Sequence, residues 1–164
     1  MSLERVTNFA LLVACLIAIP VLGRRFVAGD RQGSPPPVGY AIGDTIKEPP
    51  GVAFSRNKNT VVLFLASKCK YCEASMPFYK ALSNQRVSGD FQLVALGLEP
   101  ATALADVLRA HGVEADYVGQ VQPGDYRGVL ATPTLLVVDR AGRAAGAWRG
   151  QLSEREAEVR NLLN

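Results

Sequence analysis

Cysteine and histidine are scarce in this 164-residue chain, which has three cysteines and one histidine. A structural zinc site takes four ligands, most of them from these two residue types. Besides Cys69 and Cys72, the chain offers only Cys15, which lies inside an apolar segment, and His111. One chain therefore cannot complete such a site, and zinc binding would require a dimer.

The net charge of the chain is also low. The formal net charge of +3 is small and dispersed along the chain, so it does not indicate a nucleic-acid-binding surface. No glycine-rich phosphate-binding loop is present, which argues against nucleotide chemistry. No internal repeat is visible, and residues 51–164 suit one domain of ordinary size.

A cysteine pair follows a regular apolar run. Residues Val61 to Ala66 have the length and composition of a buried strand. After two further residues comes the CxxC sequence of Cys69 to Cys72, and from Glu73 onward the apolar positions have helical spacing. This order predicts a strand, a tight turn, and a helix that begins at the cysteines.

The position of the pair favours an ionised thiol. Unpaired backbone N–H groups at a helix N-terminus stabilise a thiolate. Lys68 and Lys70 flank Cys69, and we predict that they lower the pKa of its thiol and raise the reduction potential of the pair. The alternative is that both lysines only face water, where a surface charge is worth little. Tyr71, the other spacer residue, is a candidate cover or partner contact.

Redox exchange is the favoured use of the pair. A purely structural disulfide between Cys69 and Cys72 would close a very short loop and remove little unfolded-state entropy. Copper or zinc handling through the two thiols stays open, although no suitably placed extra histidine supports it. A binding module switched by the disulfide is a further alternative. We expect no metal and no organic cofactor, since the cysteine pair would itself be the redox-active group.

The first 50 residues differ from the rest. Residues 1–23 contain an apolar run from Val6 to Gly23 that is long enough to span a bilayer. Arg24 and Arg25 make a poor cleavage context, so an uncleaved anchor is favoured over a signal peptide, and lipidation of Cys15 is a minor alternative. Residues 24–50 form a Pro/Gly-rich linker with an edge segment, a short strand or hook, at residues 38–48.

Strands and helices alternate in the predicted domain at residues 51–164. Two strands separated by a helix imply a parallel pair. Further predicted strands are 91–98, 113–118, 134–138 and 143–148, and predicted helices are 73–85, 101–110 and 153–163. The last helix is predicted to begin with a capping box formed by Ser153 and Glu156.

A second feature precedes the strand at 134–138. Thr132 and Pro133 stand at its start, where a proline costs no ladder hydrogen bond. Combined with the upstream strand, CxxC pair and helix, this order resembles the thioredoxin fold. Residues 64–77 together with 132–142 look like the TlpA/ResA-type branch of membrane-anchored thioredoxin-like proteins.

The resemblance implies an α/β thioredoxin-like fold, a central mixed sheet flanked by helices, behind an N-terminal transmembrane helix. It implies a thiol:disulfide oxidoreductase, acting as a reductase, with Cys69 as nucleophile and Cys72 as resolving thiol. Pro133 would be a cis-proline, and Thr132 and Pro133 would offer backbone groups to an extended partner segment. The implied partners are cysteine-containing protein substrates and a membrane-embedded or soluble thiol electron partner.

Location is also inferred from the resemblance. It implies a single-pass protein of the bacterial cytoplasmic membrane whose domain faces the periplasm or cell exterior. The arginines that follow the apolar run oppose this orientation, because positive charge favours the cytoplasmic side. The sequence departs from the family in three places. Lys68 replaces a common tryptophan, the CxxC spacer has no proline, and Leu63 replaces the buried carboxylate of thioredoxins.

Overall fold

The computed structural model describes residues 39–152 and 155–164 of the chain, which form a five-stranded sheet with three helices. The strands are β1 (Asn59–Phe64), β2 (Phe91–Gly97), β3 (Tyr117–Gln120), β4 (Thr134–Asp139) and β5 (Ala144–Arg149). The helices are α1 (Lys70–Arg86), α2 (Ala101–Ala110) and α3 (Glu156–Leu163), and two 3-10 turns cover Phe54–Arg56 and Arg127–Leu130. The predicted α/β architecture is confirmed.

The strand order across the sheet is β3-β2-β1-β4-β5. β1 pairs in parallel with β2, and β2 with β3, while β4 runs antiparallel to both β1 and β5. Phe64, at the end of β1, lies opposite Leu96 on one side and Thr134 on the other. The carboxyl ends of β1 and β2 and the start of β4 therefore meet at one edge of the sheet, here called the site edge.

The central strand is buried on both sides. All six residues of β1 are buried, which explains why its sequence is a continuous apolar run rather than an alternating one. Val61 and Leu63 point to the side covered by the helices, the helix face, and Val62 and Phe64 point to the other side. The strand thus joins two separate apolar cores.

The helix face is covered by α1, α2 and α3. Four large side chains of α1 are buried: Met76, Phe78, Tyr79 and Leu82. They share one core with Leu104 and Leu108 of α2 and with Val159 and Leu163 of α3. Because burial of a large apolar side chain stabilises by about 1.5–3 kcal/mol, this core fixes the start of α1 against β1.

The opposite side, the turn face, has no helix among the described residues. Its cover consists of the two 3-10 turns, the loop at 121–126 and residues 40–48, here called the hook. The Gly43 N–H donates to the Ala144 carbonyl at 2.8 Å, and the Ile46 N–H donates to the Gly142 carbonyl at 2.8 Å. The predicted edge segment is therefore a hook, held beside the start of β5 by these bonds and by an isolated antiparallel bridge between Thr45 and Arg143.

One predicted boundary needs correction, and another falls outside the described residues. The predicted strand at 113–118 was wrong in its bounds, since β3 covers Tyr117–Gln120. Gly112 takes a positive φ of 66° after α2, and the Val113 N–H turns back to the Leu108 carbonyl at 2.9 Å, so these residues complete the helix end. The predicted cap Ser153 lies outside the described residues, and α3 begins at Glu156.

The membrane prediction concerns a part of the chain that the structure does not describe. The predicted anchor at residues 1–23 and the linker up to residue 38 fall in that part. In the described ranges, no helix combines the length and apolar character needed to cross a bilayer.

The hook carries a carboxylate whose charge should matter for stability. Asp44 accepts a hydrogen bond from the Ala41 N–H at 3.0 Å and pairs with the Arg127 guanidinium at 2.6 Å. The Ala41 N–H, followed by Arg127, holds the pKa of Asp44 below its ordinary value of 3.8. A depressed pKa in the folded state contributes stability that is present above pH 4 and lost as pH falls through the folded-state pKa.

We therefore expect Asp44→Asn to lower the urea midpoint at pH 6 and to have a smaller effect at pH 2.5. Urea titrations of the wild type and the variant at both pH values would measure this. Asp106→Asn is the matched control, because among the described residues Asp106 pairs only with Arg109 of its own helix, at 2.7 Å. A difference between wild type and Asp44→Asn that grows toward acid would contradict the assignment.

Candidate active site

The cysteine pair sits at the site edge where β1 passes into α1. Cys69 is the N-cap residue of α1, and its Sγ accepts a hydrogen bond from the Cys72 N–H at 3.1 Å. The two cysteines form a disulfide with their Cα atoms 5.1 Å apart. The helix therefore begins at the cysteines, as predicted.

The two sulfur-bearing residues differ in exposure. Cys72 is 1% exposed and belongs to the core of the helix face, whereas Cys69 is half-buried. An attacking or attacked group from solvent can reach Cys69 more readily than Cys72. The helix N-terminus also favours a thiolate at Cys69 after reduction. This asymmetry suits a nucleophile and a resolving thiol.

The three other predicted residues of this segment are exposed. Tyr71 is 59% exposed, and Lys68 and Lys70 also face solvent. Neither lysine takes part in any ion pair found in the described ranges. They are close to Cys69 only because they are its neighbours in sequence. Their effect on the pKa of the Cys69 thiol therefore stays a prediction.

The Thr132–Pro133 peptide bond is cis and lies directly before β4. Pro133 is buried, and its carbonyl accepts a hydrogen bond from the Gly150 N–H at 2.8 Å. The Thr134 hydroxyl donates to the Ala131 carbonyl at 2.6 Å. Within the described ranges, the backbone groups of Thr132 have no hydrogen-bond partner, whereas the Pro133 carbonyl already accepts one hydrogen bond.

Residues 50–163 match the family described as the thioredoxin-like domain. The chain belongs to the thioredoxin-like family. This match covers more than half of the chain and includes both the cysteine pair and the cis-proline loop. The recognition made from the sequence is thereby confirmed at the level of the family. No curated protein matches the chain significantly.

Solved structures agree with this fold. The thioredoxin domain of a thiol-disulfide oxidoreductase from Bacteroides vulgatus is 17% identical, with a TM-score of 0.58 over 76% of this chain and 99% of that chain. A thioredoxin family thiol:disulfide interchange protein from Chlorobium tepidum is 18% identical, with a TM-score of 0.58 over 76% and 96%. StoA from Bacillus subtilis is 16% identical, with a TM-score of 0.51 over 76% and 96%.

A contact that the sequence did not reveal supports the cis-proline loop of this thioredoxin-like domain. The Tyr40 hydroxyl accepts a hydrogen bond from the Arg127 N–H at 2.9 Å, and the Arg127 guanidinium lies 4.6 Å from the Tyr40 ring centre. The Tyr40 ring in turn stacks on Phe64, with centroids 6.4 Å apart. The hook thus joins the end of β1 to the 3-10 turn that leads into the cis-proline loop.

The same 3-10 turn requires a glycine. A Cβ atom at Gly128 would lie 2.5 Å from the buried Phe64 ring. Only a residue without a side chain lets the turn approach β1 so closely. Because the glycine and the ring are far apart in sequence, no local pattern marks this position.

A second missed contact lies beside the cysteines. Both the backbone N–H and the hydroxyl of Ser67 donate hydrogen bonds to the carboxylate of Glu99. Ser67 lies in the loop between β1 and α1, and Glu99 lies in the loop between β2 and α2. The parallel pairing of β1 and β2 was the available signal, since it brings their carboxyl ends together.

Leu63 stands at the position where thioredoxins have a buried carboxylate. Its side chain is fully buried in the helix-face core, so this position supplies no acid or base. Two buried hydroxyls, on Tyr79 and Tyr126, have no hydrogen-bond partner among the described residues. Burial raises the pKa of each tyrosine to about 12. Neither phenol is therefore suited to supply or accept the proton of Cys72 near neutral pH.

His111 has a structural position away from the cysteines. It is the C-cap residue of α2, and its Nδ1 lies 2.9 Å from the Val107 carbonyl. His111 thus ends α2 and contacts a carbonyl of its last turn. In the described ranges, no group of three or more His, Cys, Asp or Glu side chains is placed to hold a metal ion.

Proposed function

We propose that this thioredoxin-like domain is a thiol:disulfide oxidoreductase that reduces cysteine pairs in extracytoplasmic protein substrates. The observation that carries the proposal is the disulfide at the start of α1, with a half-exposed Cys69 and a buried Cys72. The family match and the structural likeness to the thioredoxin domain of a thiol-disulfide oxidoreductase support the same chemistry.

In the reducing direction, the reaction starts from the dithiol. The Cys69 thiolate attacks one sulfur of a partner disulfide, forms a mixed disulfide and releases the other partner sulfur as a thiolate. Cys72 then loses its proton and attacks the Cys69 sulfur, which forms the Cys69–Cys72 disulfide and releases the second partner thiolate. Two electrons pass to the partner, whose two thiolates take up two protons.

A partner segment would bind along the site edge. The open backbone groups of Thr132 can pair with an extended chain in the manner of an added strand. Apolar side chains are exposed at the same edge: Tyr71 is 59%, Leu98 42% and Leu130 61% exposed. These features suit a cysteine-bearing segment with apolar neighbours in an extended conformation.

Return to the dithiol needs a second thiol protein, membrane-embedded or soluble, that supplies two electrons. We place the domain outside the bacterial cytoplasmic membrane, held by a single N-terminal helix within residues 1–23. The apolar run from Val6 to Gly23 and the resemblance to membrane-anchored relatives support this location. The reducing direction rests on that resemblance.

Thiol trapping in intact cells tests direction and location together. A membrane-impermeant alkylating reagent should label reduced Cys69 in the wild-type chain, buried Cys72 should react only after denaturation, and Cys69→Ser should remove the Cys69 label. A stable disulfide outside the membrane would instead indicate an oxidant. Labelling only after lysis would contradict the proposed orientation, and purified protein that cannot turn over a disulfide substrate would favour the redox-switched binding module.

A further inference from the structure

The Glu99 carboxylate connects two loops at the site edge of the thioredoxin-like domain. It accepts hydrogen bonds from both the N–H and the hydroxyl of Ser67. Ser67 stands two residues before Cys69, while Glu99 follows β2 and precedes Pro100, the N-cap residue of α2. The carboxylate thus fixes the loop that delivers Cys69 to the start of α1.

The neighbouring packing is tight. The Leu65 N–H donates to the Leu96 carbonyl at 2.9 Å, which extends the pairing of the two strands beyond β1. A Cβ atom at Gly97 would lie 2.9 Å from the Leu65 carbonyl oxygen and 3.8 Å from Cγ of Glu99. The absence of a side chain at Gly97 therefore lets the end of β2 approach the loop close enough for Glu99 to reach Ser67.

We propose that Glu99 is a positioning residue that acts through Ser67 to hold Cys69 in place against Cys72. The Cys72 sulfur is fixed by its buried place on α1, whereas Cys69 belongs to the preceding loop. Restricting that loop raises the effective concentration of one thiol toward the other, because fewer conformations hold them apart. The inference concerns the site of the proposed function, but its measured quantity does not depend on any protein substrate.

The measured quantity is the equilibrium constant for disulfide formation with glutathione. In this reaction the Cys69 and Cys72 thiols and one glutathione disulfide give the Cys69–Cys72 disulfide and two glutathione thiols. We expect Glu99→Ala to lower this constant about fivefold. Ser67→Ala, which removes one of the two hydrogen bonds, should lower it about twofold.

Glu99→Gln separates hydrogen bonding from charge. Its amide oxygen can accept from the Ser67 N–H and its amide nitrogen can donate to the Ser67 hydroxyl, so both contacts survive without the negative charge. We expect a value within about twofold of the wild type. Asp106→Ala is the matched control, because Asp106 is an exposed carboxylate on α2 whose ion pair, among the described residues, is with Arg109 of the same helix.

Each result of these measurements either supports the proposal or overturns it. A loss in Glu99→Ala and Ser67→Ala, with wild-type values in Glu99→Gln and Asp106→Ala, supports the proposal. An equal loss in Glu99→Gln and Glu99→Ala would overturn it in favour of a charge effect, and unchanged constants in Glu99→Ala and Ser67→Ala would overturn it outright. Thermal unfolding of each oxidised variant reports folding. Should Glu99→Ala not fold, Ser67→Ala and Glu99→Gln decide the matter by the same criteria.

Discussion

Replacing Cys69 with serine should lower disulfide exchange by about three orders of magnitude or more, because a hydroxyl is not a thiolate nucleophile near neutral pH. Cys69 carries the more accessible sulfur of the pair and caps α1, so no other thiol in the described residues can take its place. Reduction of insulin by the purified chain, with dithiothreitol as electron source, measures the effect.

Replacement of Cys72 should have a different signature. Cys72→Ser removes the resolving thiol, so the mixed disulfide between Cys69 and the substrate should accumulate and appear on non-reducing gels. Cys15→Ser is the control and should exchange at the wild-type rate. Mixed disulfides that form in Cys69→Ser but not in Cys72→Ser would reverse the assigned roles.

A single methyl group at Gly128 should destabilise the domain by about 1–3 kcal/mol. The added Cβ would lie 2.5 Å from the Phe64 ring, which is fully buried in the turn-face core and cannot move into solvent without exposing β1. Either the ring or the 3-10 turn at Arg127–Leu130 must shift. Urea denaturation of Gly128→Ala measures the loss.

The loop at 121–126, which precedes this turn, provides the control for the substitution. A Cβ atom at Gly124 would meet nothing within 4 Å, so Gly124→Ala should change the free energy of unfolding by about 0.5 kcal/mol or less. Equal stability of the two variants would contradict the close approach of the turn to β1. A fall in exchange rate in Gly128→Ala alone would also show that the turn supports the cis-proline loop.

The central strands and α1 could be predicted because their signals are local. The apolar run in β1 reports a strand buried on both sides, and helical spacing after Cys72 reports the buried side of α1. The cysteines and the Thr132–Pro133 sequence could be recognised because their residue types are specific to a known arrangement. Both signals need only a few adjacent residues.

The contacts that support the site could not be predicted in the same way. Tyr40 and Arg127 are 87 residues apart in sequence, and Ser67 and Glu99 are 32 apart. Each pair meets only after the sheet has brought its strands into register. Serine, glutamate and arginine are also common surface residues, so their types alone indicate no partner. The start of β3 was missed because Val113 is apolar and buried, like a strand residue.

The two faces of the sheet differ in how they can open. The helix face is covered by α1, α2 and α3, whose backbone hydrogen bonds are mostly internal to each helix. The turn face is covered by short segments that depend on contacts with one another, such as Tyr40 with Arg127. Local opening on this side has fewer backbone bonds to break. We therefore expect the cis-proline side of the site to open more readily than the side that carries the two cysteines.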